Sequence, residues 1–467
     1  MNSEFSSALT SDADAAPPSA PERVSFIEAL RFWLKLGFIS FGGPAGQIAI
    51  MHSELVERRR WISEKRFLHA LNYCMLLPGP EAQQQATYIG WLLHRTWGGI
   101  VAGALFVLPS LFILIALSWV YLRFGDVPAV AGVFYGIKPA VTALVLQAAH
   151  RIGTRALKNG WMWGIAALSF VAIFGFDTPF PAIVVAAALI GHFGARVAPH
   201  VFALGGSHGS AVRDYGPALI DDDTPTPPHA RFSRRRLTAV LGIGFGLWAL
   251  ATALIVATQG WHGTLAQMGW FFTKAALLTF GGAYAVLPYV YQGAVEQHQW
   301  LTGAQMIDGL ALGETTPGPL IMVVAFVGCV GFVGFVGFVG GWAKQVFGPD
   351  ALFAAGVAAA CVATFFTFLP SFVFILAGGP LVEATHGRLG FTAPLSAITA
   401  AVVGVIANLA LFFAHHVLWP QGFGGRFDAF SAVIALAAAV ALFRYKEGVM
   451  PLLAACAAVG LISSFWR

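Results

Sequence analysis

The chain has 467 residues, 57% of them hydrophobic and only 10% charged, with a formal net charge of +5. Soluble domains carry about 25% charged residues, so a water-soluble globule of this length is excluded. The modest positive charge is what basic cytoplasmic loops supply, and no basic stretch is interleaved with aromatics as nucleic-acid binding would need.

The first residues, 1–23, are polar and rich in Ala, Ser and Pro, with no basic run leading into an apolar one. They predict a disordered tail and no cleaved signal peptide. Apolar segments then fall near 26–50, 67–94, 97–122, 129–149, 161–175 and 179–198, and together form a first transmembrane repeat, 24–198. Several approach the roughly 20 residues that cross a bilayer as a helix. They are continuous rather than alternating, which argues against a transmembrane barrel. A polar stretch with three aspartates, Asp221 to Asp223, and three arginines, Arg234 to Arg236, makes a linker over 199–236. A linking transmembrane helix is expected at 237–258 and a second transmembrane repeat over 259–467. Cys74, Cys329, Cys361 and Cys456 lie in apolar segments, at spacings that match no metal motif or disulfide framework.

The second half repeats the first. At an offset of 239, Lys35 matches Lys274, Phe41-Gly42-Gly43 matches Phe280-Gly281-Gly282, Trp61 matches Trp300 and Pro78-Gly79-Pro80 matches Pro317-Gly318-Pro319. From Phe32 to Pro80 the copies align without a gap and share 12 of 49 residues. Further on, Leu108-Pro109-Ser110 matches Leu369-Pro370-Ser371 at an offset of 261, so the second copy carries an insertion of 22 residues. That insertion holds glycines at every third position from Gly331 to Gly340, a pattern of close helix packing or of tandem expansion.

Two copies of a membrane unit mark a transporter. The loop between the breaks of copy one carries Arg58, Arg59, Arg60, Lys65 and Arg66, whereas copy two has no Lys or Arg between Lys274 and Lys344. The positive-inside rule places the first loop in the cytoplasm and permits the second outside. The unpaired segment at 237–258 would invert the second copy. The expected fold is therefore an all-α polytopic membrane protein of two inverted-topology repeats. If every segment crosses, Arg151, Arg155 and Lys158 fall outside; a re-entrant Pro-Gly-Pro segment changes that count.

Two elements can carry chemistry. Gly42-Gly43-Pro44 and Gly281-Gly282 break apolar helices, and their backbone N–H groups can turn toward an anion. Lys35 and Lys274 lie in the apolar stretch before them, where a lysine faces a cavity or partner, or snorkels to the interface. The second element is Pro78-Gly79-Pro80 with Glu81, Gln83 and Gln84, and its twin Glu314 with Pro317-Gly318-Pro319. Proline lacks the N–H and pushes its predecessor toward extended geometry. Such backbone survives at membrane depth only against protein or a wet cavity. The glutamates are candidates for proton coupling or for gating pairs with the lysines, and the glutamines and Thr315 and Thr316 for hydrogen bonds to an oxyanion. Lys138-Pro139 has no charged twin, and His415-His416 is read as interfacial. No catalytic triad, P-loop or zinc motif is present, which argues against a hydrolase or an ATP-driven pump and for no cofactor and no metal.

At Lys35 to Pro44, the Glu54 to Trp61 loop, Pro78 to Gln84, Leu108-Pro109 and the second-half counterparts, the chain resembles the chromate ion transporter family in its long, two-domain form. The likeness runs from about Val24 to Trp466. It implies export of chromate from the bacterial cytoplasm across the inner membrane, giving resistance, by two oppositely oriented homologous halves. Copy two departs from copy one in having Ala283 for Pro44 and Leu320 for Glu81, so the halves should not contribute equally. Sulfate shares the charge and shape of chromate, and its import or exchange is the alternative; a polytopic membrane enzyme or scaffold subunit is the third reading. The expected partners are the oxyanion and the lipid bilayer, with a homodimer as the oligomeric option and no nucleic acid.

Overall fold

The computed structural model describes residues 21–40, 43–198, 202, 215–280, 283–316, 329–384 and 392–466. The chain is helical, and among the described residues the only strand pairing is one isolated bridge, Ile62 to Ile220. The expected tail lies almost wholly outside the described residues.

Copy one opens with α1 (Phe26–Ile39), α2 (Gly43–His52) and α3 (Glu64–Cys74). Ser25 caps α1 by accepting from Glu28 N–H, and Ser63 caps α3 by accepting from Arg66 N–H. At 1.5 Å per residue these helices are about 21, 15 and 16 Å long, short of the roughly 30 Å hydrocarbon core. α1 and α2 form a re-entrant hairpin, because Arg59, just beyond α2, pairs with Glu28 at the start of α1 at 3.3 Å. α4 (Glu81–Phe124) is itself a hairpin. His94 and Arg95 leave helical geometry, and glycines on the two arms face one another across the turn: Gly90 meets Gly98 and Ala102, and Gly103 meets Thr87. The first arm of α4 runs back beside α3, with Gln85 Nε2 donating to the Phe67 carbonyl at 3.0 Å. The apolar run expected at 67–94 is therefore no crossing. It dips in through α3, breaks at Pro-Gly-Pro and returns to the face it left. Because of this, α5 (Pro128–Ala156) brings Arg151 and Arg155 back to the face of Arg58 to Arg60, which removes the charge conflict of an all-crossing count.

α6 (Gly160–Phe176) and α7 (Phe180–Val197) complete copy one, and α8 (Arg234–Gln259) links the copies. Copy two repeats the order: α9 (Thr264–Leu278), α10 (Ala283–Val290), α11 (Gly303–Thr315), α12 (Cys329–Ala343), α13 (Leu352–Ala384), α14 (Thr392–Leu418), α15 (Ala429–Val440) and α16 (Val449–Ser464). The repetition reaches fine detail. Both α2 and α10 end in a π turn, Ser53–Arg58 and Tyr291–Gln297. Arg60 and its equivalent Gln299 both adopt φ 51°, and Trp61 and Trp300 each donate to a carbonyl six residues back at 2.7 Å. In the inserted segment, Gly337 and Gly341 of α12 lie against the backbone of α13 at Ala359 and Ala355, so the expected close packing is its structural use.

Among the described residues six helices are long and apolar enough to cross a bilayer: α4, α5, α7, α8, α13 and α14. α8 is exposed along nearly its whole length, with only Gly244 buried. In water that surface would be untenable; against lipid it is the expected outer face. The chain is a multi-pass membrane protein.

The copies interlock by exchange. α5 packs on α15 and α16 of copy two, and α14 packs on α6 and α7 of copy one. α5 runs antiparallel to α16, since Gly132 meets Gly460 and Ser464 while Gly136 meets Cys456 and Gly460. It runs parallel to α15, pairing Tyr135 with Asp428 and Gln147 with the Leu442 carbonyl. The other half mirrors this with Ala393 and Ala397 of α14 against Gly191 of α7. Small residues four apart let helix backbones touch where no hydrophobic drive separates protein from lipid.

The polar linker is a docked strap over 215–233. Ile220 N–H donates to the Trp61 carbonyl at 3.1 Å and its own carbonyl accepts from Ser63 N–H at 3.0 Å. His229 pairs with the Trp91 carbonyl at 3.0 Å, and burial lowers its pKa. This holds the start of α8 at the face of the His94 turn. α1 begins at that same face, with His94 against the Val24 carbonyl at 3.0 Å, whereas α9 begins just past the far end of α8.

A Cβ at Gly136 would run into the Cys456 carbonyl oxygen and lie 2.8 Å from Gly460 Cα, while one at Gly164 of α6 meets nothing within 4 Å. Gly136→Ala is expected to cost about 1–3 kcal/mol and lower the melting temperature of the purified protein in detergent, with Gly164→Ala unchanged or slightly more stable. Equal melting of the two variants would refute the exchange packing.

Candidate functional site

The site is built where the Pro-Gly-Pro break of copy one meets copy two. Gly79 has φ 124°, a conformation that side chains with a Cβ rarely adopt. Its N–H donates to the carbonyl of Thr279 at 3.2 Å. Thr279 follows α9, just before Phe280, so the break of one copy leans on the break of the other. Gln84 braces the tip from below, its Nε2 donating to the Pro78 carbonyl at 2.9 Å. Pro80 caps α4 without any side-chain bond, which leaves the first-turn N–H groups of α4 directed at the tip, a positive pole suited to an anion.

The residues that follow are polar and buried together: Glu81, Gln83, Gln84, Gln85 and Thr87. Gln83 Nε2 donates to Thr87 Oγ1 at 2.9 Å. Ser371, in the middle of α13, lies against Gly79. Its hydroxyl is buried and without a hydrogen-bond partner among the described residues, as are the side-chain carbonyl oxygens of Gln83 and Gln84. Buried polar atoms are normally satisfied. Several such atoms at one helix break, drawn from both copies, make this the candidate site for a polar ligand. Glu81 makes no ion pair among the described residues, and Arg155 is the basic residue whose charge reaches it.

Other expected site residues fall elsewhere. Lys35 and Lys274 occupy equivalent positions on exposed faces of α1 and α9, and Lys274 Nζ lies 5.7 Å over the Trp270 ring. Neither joins the buried cluster. Gly43 and Pro44 begin α2, and Glu314 is buried in the last turn of α11. Gly42, Gly281, Gly282, Pro317, Gly318 and Pro319 lie outside the described residues. Sequence reasoning did not mark Ser371, Thr279 or Thr87 as site residues, although the repeated Leu-Pro-Ser was visible as a signal for Ser110 and Ser371. Ser110 is the twin of Ser371 and is likewise buried with an orphan hydroxyl.

Two polar clusters join the copies outside this tip. Arg66 of α3 pairs with Glu383 of α13 at 3.6 Å, and Glu383 also accepts from Tyr88 and from Thr226 of the strap. Lys138 of α5 pairs with Asp308 of α11 at 3.1 Å, and Asp308 accepts from Tyr121 at 2.8 Å. No cluster of His, Cys, Asp or Glu among the described residues could hold a metal ion.

The chromate transporter family model matches residues 27–192 and 266–461, one stretch in each copy. The chain belongs to this family. It is a transporter family, and the chain is not an enzyme. A chromate transport protein of Pseudomonas aeruginosa is 32% identical over 410 residues, covering 86% of this chain and 84% of the relative. A chromate transport protein of Cupriavidus metallidurans is 28% identical over 438 residues, covering 93% and 92%. An uncharacterized transporter of Bacillus subtilis, YwrA, is 30% identical over 166 residues, 35% of this chain but 92% of its own length, so a relative exists at the size of one copy. No solved structure matches the chain.

Gly79→Ala meets both the unfavourable φ and the Ser371 hydroxyl. It is expected to lower the transport rate at least tenfold while membrane insertion stays normal. Adding Ser371→Ala relieves the hydroxyl clash but leaves the φ and the Gln84 amide 2.6 Å from the new Cβ, so the double variant should remain impaired. Wild-type flux in Gly79→Ala would remove the tip from the site.

Proposed function

We propose that this chain exports chromate from the cytoplasm as a secondary transporter, with the tetrahedral dianion held where the Pro-Gly-Pro tip of copy one meets α9 and α13 of copy two. The observation that carries the reading is the group of buried, unsatisfied polar atoms at that tip. Family membership supplies the substrate class. Resistance to chromate follows from outward flux.

The copies are read as inverted in the bilayer. The strap fixes the start of α8 at the face where α1 begins, and the 26 residues of α8 reach about 39 Å, enough to start copy two at the other face. Positive charge around Arg58 to Arg66, Arg95, Arg155 and Arg234 to Arg236 assigns the first face to the cytoplasm.

A dianion leaving a negatively charged cytoplasm gains roughly 2.3 kcal/mol per charge per 100 mV. Two charges give about 4.6 kcal/mol, enough for a gradient of a few thousandfold. The potential alone is therefore an adequate energy source. Glu81, buried and unpaired at the tip, then acts as an electrostatic gate that keeps the empty site closed to anions, and proton coupling is the role it would take if the potential were not used.

Radiolabelled chromate flux in everted vesicles tests the reading. An interior-positive potential should drive uptake, with unlabelled chromate competing better than sulfate. Sulfate uptake without chromate uptake would overturn the substrate. Glu81→Gln should change affinity or leak while leaving the response to an imposed pH gradient as in the wild type; loss of that response would make Glu81 a coupling group instead.

A further inference from the structure

Lys138 is a lysine in the interior of a membrane helix that the tip does not use. It lies ten residues from the start of α5, about 15 Å along the helix, which is near mid-bilayer for a crossing segment. Pro139 follows it, and proline removes one backbone hydrogen bond and bends the helix there. The Lys138 ammonium pairs with Asp308 at 3.1 Å, a carboxylate that is 3% exposed. Asp308 Oδ2 also accepts from Tyr121 at 2.8 Å, whereas its Oδ1 is buried with no hydrogen-bond partner among the described residues. An ammonium has three donors, and Asp308 is the sole ion-pair partner of Lys138 among the described residues. On its other side Lys138 lines a cavity of about 400 Å³ that runs along α5 past Gly132 to Pro128 and reaches Ser463 and Ser464 of α16.

A structural brace is the bland explanation, and two observations weigh against it. A brace demanded by the repeated fold would recur at its equivalent place. There, Asp308 is replaced by His69, Lys138 by Thr399 and Tyr121 by Val382, so neither the carboxylate nor the ammonium recurs, and His69 meets the Val382 carbonyl at 3.2 Å. The cross-copy pair that does exist at that end, Arg66 with Glu383, is held by Tyr88 and by Thr224 and Thr226 of the strap; its Glu383 borders a cavity of about 360 Å³, but the cation, Arg66, is only 12% exposed. In the Lys138 pair the carboxylate is likewise held by a tyrosine, Tyr121, but the cation itself is 30% exposed and lines the cavity.

We propose that Lys138 is an oxyanion-binding residue on the path of the transported ion, reached through the α5–α16 cavity, and that Asp308 is its stand-in counter-ion while no anion is bound. An arriving tetrahedral dianion exchanges with Asp308 at the ammonium, so the lysine is never an isolated charge in the membrane. Asp308 keeps Tyr121 when displaced. This rests on the reading of the chain as an oxyanion transporter, and it puts a cation at a second station beyond the Pro-Gly-Pro tip, on the side where α5 begins.

Purified full-length protein in detergent is titrated with chromate, and separately with sulfate, while its melting temperature is followed. Wild-type protein should be stabilised in a saturable way, and Lys138→Gln should weaken the apparent affinity at least tenfold. The double variant K138D/D308K restores an ion pair of reversed sense, so it keeps a brace but moves the ammonium. It should melt near the wild-type temperature and still bind chromate at least tenfold more weakly. Wild-type binding by K138D/D308K, or by Lys138→Gln, overturns the proposal. If Lys138→Gln does not insert, the double variant alone decides. A Lys138-dependent response to sulfate without one to chromate would uphold this site and overturn the chromate reading.

Discussion

A peptide N–H without a partner inside a bilayer costs several kcal/mol, and in this protein the N–H of Gly79 finds its partner in the other copy, at the Thr279 carbonyl. The rest of the architecture follows from that bond. A Pro-Gly-Pro break cannot be exposed to lipid, so the arms that carry it, α3 and the first arm of α4, must be enclosed. α1 of copy one packs on α4, α13 of copy two packs on both α3 and α4, and the residue just past α9 supplies the carbonyl that Gly79 needs. On the proposed reading, the transport site is then a property of the pair of copies.

The exchange of helices keeps that enclosure in place. α5 leaves its own copy to pack on α15 and α16, and α14 does the reverse. Glycine and alanine at four-residue spacing provide the contact, at Gly132 and Gly136 in one half and at Ala393 and Ala397 in the other. In lipid, where apolar surface gains little by leaving its solvent, such close contact is the main attraction available. Charge is used sparingly. Among the described residues each cross-copy ion pair joins α3 or its equivalent α11 to a helix of the opposite copy.

Much of this was legible in the residues. Composition gave the membrane, the 239-residue offset gave the two copies, and proline with glycine gave the breaks, because each of these is a local property. What depended on helix phase was not legible. Lys35 and Lys274 are equivalent by position, but Phe32, Trp33 and Leu36 take the inner face of α1, and the lysine at the next position is left outside. The run at 67–94 reads as one apolar crossing because α3, the break and the first arm of α4 are all moderately apolar. Only the packing of Gln85 on Phe67 reveals that the chain turns back. Asp308 could not be matched to Lys138, since the two are brought together by the exchange of helices and not by the repeat.

The central claim is that the two copies are interlocked with opposite orientation across one membrane. It is tested most directly with single cysteines at Arg58 and Gln297, equivalent exposed positions of the two copies, in a cysteine-free background. An impermeant maleimide should label Arg58→Cys only in everted vesicles and Gln297→Cys only in intact cells. Labelling of both from the same side would contradict the account.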